Sequence, residues 1–275
     1  MPRLTLERRA AAYRAYYEHM PLPQRAPPFG PDMRLHTTCR WGNLAMLRLL
    51  DTRQYRDPQP CAPAGRAGGN STRPEDCAAL ADPARRTLGA RQGAWLEARL
   101  RASRSRWNLL TQGVVKAPLN TAWLPEVRRQ TDDWNGYPAA RQRLMQQLQQ
   151  TRAANPMLLS GDFHAFMAAE LHANPLDPDS APVATEFVTT SISSEAWPES
   201  RVRAFVANSP GLKLATGAAP GYLRLDVGSG STRAELVAMD TVAEPRSASR
   251  VLAPRCGSAT TRSWPCSAAL GKSQT

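Results

Sequence analysis

The pattern of apolar and polar residues predicts a chain in which helices and short strands alternate. Residues 5–20 carry an apolar stripe at helical spacing, formed by Tyr13, Tyr16, Tyr17 and Met20, which predicts a helix with one packed face. The same period predicts helices over 88–104, 139–152 and 201–207, and apolar runs predict strands over 33–38, 43–51, 107–112, 157–159 and 182–188. A Gly/Ser-rich turn at 228–232 predicts an antiparallel hairpin of 222–227 with 234–242. This alternation is typical of an α/β fold.

One loop is a candidate site, because it follows a strand and carries two residue types that bind metals. Ser160 and Gly161 end the strand predicted at 157–159, and residues 165–171 are predicted to be helical. Asp162 and His164 therefore follow the carboxyl end of a strand, where open α/β sheets bind their ligands. A carboxylate oxygen and an imidazole nitrogen at this spacing can hold one cation or two adjacent ones. The alternative is a turn in which Asp162 caps the helix and His164 is a structural histidine.

Two further polar segments follow the second predicted strand. Residues 51–56 (DTRQYR) form either the rim of a substrate site or a hydrogen-bonded corner. Residues 57–86 are rich in proline, glycine and arginine, and a loop of this length suggests a surface insertion or a lid.

The formal net charge of +12 raises the possibility of an anionic partner. Residues 1–130 contain 22 Lys and Arg against 10 Asp and Glu, whereas residues 131–275 contain 13 of each. The arginines are scattered and no nucleic-acid-binding motif accompanies them, so no specific nucleic-acid binding is predicted. Such a surface would also steer an anionic substrate. No apolar run of 18 residues predicts a membrane span, and the first residues lack the apolar core of a signal peptide.

The five cysteines are too few for a disulfide scaffold in a chain of this length. Neither a Cys-x-x-Cys spacing nor a Cys/His cluster is present, so a structural zinc site is not expected. Cys61 and Cys77 flank the irregular loop and would bridge it only if the protein matures outside the cytoplasm.

Five segments, in order between residues 5 and 250, resemble the alkaline phosphatase D (PhoD-like) metallophosphatases. They are residues 9–21 (RAAAYRAYYEHMP), 50–56 (LDTRQYR), 134–141 (WNGYPAAR), 159–164 (LSGDFH) and 183–194 (VATEFVTTSISS). Together they are more specific than any single motif. The resemblance implies part of a metallo-dependent phosphatase (calcineurin-like) β-sandwich flanked by helices, with a C-terminal β-hairpin. It also implies an alkaline phosphatase or phosphodiesterase that hydrolyses phosphoesters and uses calcium and iron.

The resemblance further implies roles for individual residues. Asp162 and His164 match the last metal-ligand block of the family. Because the family is typically exported to the periplasm or beyond, a disulfide between Cys61 and Cys77 is implied. Residues 1–251 would be part of the catalytic domain, and residues 252–275 a disordered or atypical tail.

The resemblance covers only the second half of the family's sequence. The earlier Asp, Cys, Asn and His blocks that hold most of the metals would precede Met1, and His19, His36 and His172 do not replace them. We therefore expect a chain truncated before its main ligand blocks, with little activity alone. The alternatives are an inactive α/β module that binds acidic partners through its arginine-rich surface, and a truncated gene product.

Overall fold

The computed structural model describes residues 3–22, 26–65, 68–174 and 179–258. Over these residues the helices are α1 (Arg3–His19), α2 (Gly89–Arg101), α3 (Pro138–Thr151) and α4 (Glu199–Asn208). The strands are β1 (Thr37–Trp41), β2 (Ala45–Leu49), β3 (Ser71–Thr72), β4 (Trp107–Thr111), β5 (Arg129–Gln130), β6 (Pro156–Ser160), β7 (Phe166–His172), β8 (Pro182–Val188), β9 (Leu212–Thr216), β10 (Gly221–Val227), β11 (Ser231–Met239) and β12 (Ser249–Ser258).

A seven-stranded mixed sheet in the order β1-β2-β4-β6-β8-β7-β9 forms the centre of the fold. The strands β2, β4, β6 and β8 run parallel, whereas β1, β7 and β9 are antiparallel to their neighbours. The chain returns from β2 to β4 through α2 and from β4 to β6 through α3, since parallel neighbours need a crossover. Apolar residues of the sheet pack with those of the helices on one face, including Leu110, Leu158, Leu96, Leu100, Leu144 and Leu148.

A second, three-stranded antiparallel sheet in the order β10-β11-β12 packs on the other face. Ala234, Leu223 and Leu225 of this sheet contact an apolar cluster that contains Trp107, Met157 and Phe187 of the large sheet. The indole nitrogen of Trp107 also donates to the carbonyl of Gly228, at 2.8 Å. The small sheet leaves part of this face uncovered, because Trp41 is 75% exposed and Leu49 is 40% exposed.

The predicted mixed α/β fold with helices and a large sheet is confirmed, but the prediction for one of its segments is wrong. Residues 165–171 were expected to be helical, but Phe166–His172 form strand β7. The residues from Phe166 to Ala169 are buried, and β7 hydrogen-bonds to β8 on one side and β9 on the other. Pairing on both edges outweighs the helix propensity of Ala, Met, Glu and Leu.

Three smaller features also differ from the predictions. The strand expected at 33–38 lies at Thr37–Trp41. The stripe of α1 is packed less than expected, since Tyr16 is 40% exposed and Met20 is 47% exposed. Strand β12 continues to Ser258, beyond residue 252 where the tail was expected to begin, because its backbone pairs with β11. The rest of that tail, residues 259–275, lies outside the described residues. Among those described, none belongs to a helix long and apolar enough to cross a membrane.

Candidate functional site

Residues 161–165 connect β6 to β7 and cross the end of β8, which lies between those strands. Asp162 and His164 adopt left-handed backbone conformations, with φ of 67° and 57°. Residues other than glycine rarely adopt this conformation, which occurs more often at functional sites. Phe163 between them is buried and stacks on Trp197, with ring centroids 5.5 Å apart. This anchor holds the loop so that Asp162 and His164 both line an open cleft.

The cleft has a volume of about 560 Å³ and lies at the carboxyl ends of three parallel strands. Arg53 follows β2, Val115 follows β4 and Asp162 follows β6. The remaining lining residues are Gly68, Gly69, Gln130, Asp132, Asp133, Gly161, Phe163, His164 and Trp197. This is the edge at which ligands bind in open α/β sheets.

The imidazole of His164 is fixed in one orientation. Its Nδ1 lies 3.0 Å from the backbone carbonyl oxygen of Glu195. Because a carbonyl oxygen only accepts, Nδ1 carries the proton in this contact. In the neutral ring Nε2 then holds a free lone pair, which is the state in which histidine binds a metal.

Asp162 is joined to Asp132 through the guanidinium of Arg53. Arg53 donates from Nη2 to Asp162 Oδ2 at 2.7 Å and from Nη1 to Asp132 Oδ2 at 2.5 Å. Asp132 also accepts from Arg56 and from Gln59, each at 2.6 Å. Burial alone would raise the pKa of Asp132, but the hydrogen bonds and charges of Arg53 and Arg56 outweigh it and lower that pKa. Asp132 is therefore a stable anion that holds the arginines in place.

A buried polar network supports the loop from below. Glu186 of β8 accepts from the Ser160 hydroxyl at 2.6 Å and from the backbone N–H groups of Lys116 and Ala117, at 2.9 and 2.6 Å. These contacts connect the residue before Gly161 to the segment that carries Val115. Burial raises the pKa of Glu186 and lowers that of Lys116 well below its usual value.

Asp133 forms part of the cleft floor and is almost fully buried. Its carboxylate accepts from the backbone N–H of Asn135 at 2.7 Å and so caps the short turn Trp134–Gly136. Burial raises its pKa to about 7, because the hydrogen bonds from Asn135 only partly offset the loss of solvation.

The described residues do not by themselves make a complete metal site. Asp162 offers a hard oxygen and His164 a nitrogen, and both types suit the cations that the resemblance implies. However, no group of three or more His, Cys, Asp or Glu residues that could hold a metal occurs in the part of the chain that the structure describes. Calcium alone takes six to eight oxygen ligands. The pair fits the chemistry of such a site but not its number of ligands.

Cys61 and Cys77 are joined by a disulfide in the structure, with Cα atoms 5.9 Å apart. The bridge closes the irregular loop that brings Gly68 and Gly69 to the cleft. The loop also contains strand β3, which pairs with β5. The described part of the segment 57–86 is thus fixed at two points next to the candidate site.

Residues 51–56 form the hydrogen-bonded corner that was one of the two predictions for this segment, and the substrate rim stays a prediction. Asp51 Oδ1 accepts from the backbone N–H groups of Arg53 and Gln54, which makes the segment a hydrogen-bonded corner. The same corner directs Arg53 into the cleft. Asp132 and Trp197 were not predicted as site residues. The one indication in the sequence was that Asp132 lies beside the segment 134–141, which carries part of the family resemblance.

Known proteins resemble this chain over most of its length. The sequence profile of the PhoD-like phosphatase family matches residues 2–236. Alkaline phosphatase D of Bacillus subtilis (strain 168) is 40% identical over 187 residues, which are 68% of this chain and 31% of that protein. A solved structure described as "Structure of PhoD" superposes with a TM-score of 0.83 at 34% identity, covering 97% of this chain and 50% of the other. This chain therefore spans half or less of the length of these relatives.

Proposed function

The chain belongs to the PhoD-like phosphatase family, and from this premise we propose that it serves phosphoester hydrolysis through the cleft beside Asp162. The resemblance seen in five sequence segments is thereby confirmed. The observation that carries the proposal is the position of Asp162 and His164 together at the carboxyl ends of the parallel strands. The name of the Bacillus subtilis relative supports an alkaline phosphatase. Phosphodiester substrates and a calcineurin-like sandwich formed by residues 1–251 are further parts of the proposal.

We propose that Asp162 and His164 are ligands to calcium and iron. Bound cations in such enzymes neutralise phosphoryl charge and ionise a water near neutral pH. Two ligands are too few for such a site, and we propose that further donors come from outside the described residues. The chain alone should therefore turn over phosphoesters slowly or not at all. The disulfide between Cys61 and Cys77 supports maturation in an oxidising compartment such as the periplasm or the cell exterior.

The test measures hydrolysis of nitrophenyl phosphate and bis-nitrophenyl phosphate with calcium and iron supplied. We expect little activity from the chain alone, and activity when it is fused to the half of the solved relative that it does not match. In that fusion Asp162→Ala and His164→Ala should remove most of the rate. Asp226→Ala on β10 is the matched control, because Asp226 is exposed and lies outside the cleft. An unaltered rate in Asp162→Ala would refute the ligand assignment.

One observation favours a second candidate, an inactive α/β binding module. The incomplete set of metal donors in the described residues is what such a module would show. The same experiment separates the two candidates. A fusion that folds and remains inactive with both metals present would favour the binding module.

A further inference from the structure

Arg53 is held in the cleft by two carboxylates of unequal depth. The side chain of Asp132 is 15% exposed and that of Asp162 is 50% exposed, and Arg53 between them is 44% exposed. A guanidinium has five N–H groups, and these two ion pairs use one on each terminal nitrogen. The arginine therefore keeps donors for another acceptor while one partner fixes it from below.

The support of Arg53 extends through two further layers. Gln92 binds the backbone of Asp51 in both directions, at 2.8 Å each, and Asp51 in turn caps the turn that carries Arg53. On the other side, Arg56 and Gln59 hold Asp132. Because each partner is itself fixed, the guanidinium has little freedom to leave the cleft wall. Such preorganisation reduces the entropy lost when a ligand binds.

Other cations near the cleft are already used. Lys116 is fully buried, and its Nζ donates to the carbonyl of Arg141 at 2.9 Å. Both terminal nitrogens of Arg56 bond to Asp132. Among the described residues that line the cleft, Arg53 is the one arginine or lysine. An anion that enters the cleft therefore meets this guanidinium.

We propose that Arg53 binds the phosphoryl oxygens of the substrate in exchange for its contact with the half-exposed Asp162. This inference rests on the proposed function, because it assigns the phosphoester to the same cleft. A guanidinium fork matches two phosphate oxygens, and such bonds are strong because both partners are charged. Phosphate would replace the shallow ion pair with Asp162, whereas Asp132 would still hold Nη1.

The experiment titrates inorganic phosphate into the full chain by calorimetry, without added metal. We expect Arg53→Ala to weaken phosphate binding at least tenfold. Arg53→Lys should weaken it less, because an ammonium keeps the charge but cannot form the fork. Arg101→Ala is the matched control, since Arg101 pairs with Glu97 of α2 and does not line the cleft, and it should bind phosphate as the unaltered chain does.

Two results would overturn the assignment of Arg53. One is phosphate binding in Arg53→Ala and in Arg53→Lys that equals that of the unaltered chain, and the other is no phosphate binding by the unaltered chain. Circular dichroism and thermal melting of Arg53→Lys test whether the fold is retained. If the fusion hydrolyses phosphoesters and both Arg53 variants bind phosphate normally, the proposed function stands and the role of Arg53 fails. If phosphate binding depends on Arg53 but the fusion hydrolyses no phosphoester, the role of Arg53 stands and the proposed function fails.

Discussion

Replacing Glu186 with leucine tests whether the buried network holds the candidate site together. Glu186 is fully buried and accepts three hydrogen bonds, two of them from backbone N–H groups. The Ser160 hydroxyl can rotate toward another acceptor, but the two backbone groups cannot turn away. Each buried donor without a partner costs about 1–3 kcal/mol.

Two effects of Glu186→Leu oppose each other. The variant removes the cost of burying a carboxylate, which is the reason that the pKa of Glu186 is raised. It also leaves the fully buried Lys116 without its nearby negative charge. Removing one partner of a buried ionic network costs about 3–5 kcal/mol in other proteins. We therefore expect the lost acceptors to dominate, with a net loss of about 3 kcal/mol in the free energy of unfolding.

Urea unfolding followed by tryptophan fluorescence measures this loss. Glu186→Gln keeps one oxygen acceptor and should lose about 1–3 kcal/mol, since its amide faces a donor. Glu244→Leu replaces an exposed glutamate and should change stability by less than about 0.5 kcal/mol. If Glu186→Leu unfolds at the same urea concentration and with the same slope as the unaltered chain, the network does not stabilise the fold.

Three further outcomes can be checked on the same protein. Burial raises the pKa of Asp133 from 3.8 to about 7, so the folded state binds this proton more tightly, and the free energy of unfolding should fall as pH rises through that interval. In Asp133→Asn the fall should be smaller, and an equally steep fall in this variant contradicts the assignment. The disulfide has a sequence separation of 16 and should contribute about 3 kcal/mol; thiol counting on denatured, unreduced protein should find two of the five cysteines protected, and five free thiols would exclude the bridge. The uncovered sheet face around Trp41 and Leu49 should bind a hydrophobic dye. Trp41→Ser should reduce the dye fluorescence, and a monomeric preparation that binds no dye would disprove the exposure of this face.

Local sequence patterns predicted the elements whose environment is uniform along their length. One apolar period runs through each of the predicted helices 88–104 and 139–152 and through the predicted strand 157–159. The structure has α2, α3 and β6 at these positions. Strand β7 escaped prediction because its two neighbours in the sheet, β8 and β9, come from later parts of the chain. Residues 166–172 contain good helix formers, so only these partners define them as a strand.

The site was predictable as a loop but not as a cleft. Asp162 and His164 were found because a strand, a break and two metal-binding residue types follow one another locally. Arg53 lies 109 positions from Asp162 and 79 from Asp132, so nothing in the local sequence shows that they form one cluster. The sequence around Glu186 predicts only a strand residue, because its three hydrogen-bond donors come from other segments of the chain.

The position of β8 between β6 and β7 determines when the site can form during folding. Although β8 lies between these strands, it follows both of them in the sequence. Residues 156–172 therefore cannot complete their part of the sheet until residues 182–188 have inserted between them. Until that step, two strand edges are unpaired, and exposed edges of this kind form aggregates with other chains. Pairing between distant segments is also slow. The loop with Asp162 and His164 should therefore become ordered late in refolding, at the same time as protection from aggregation.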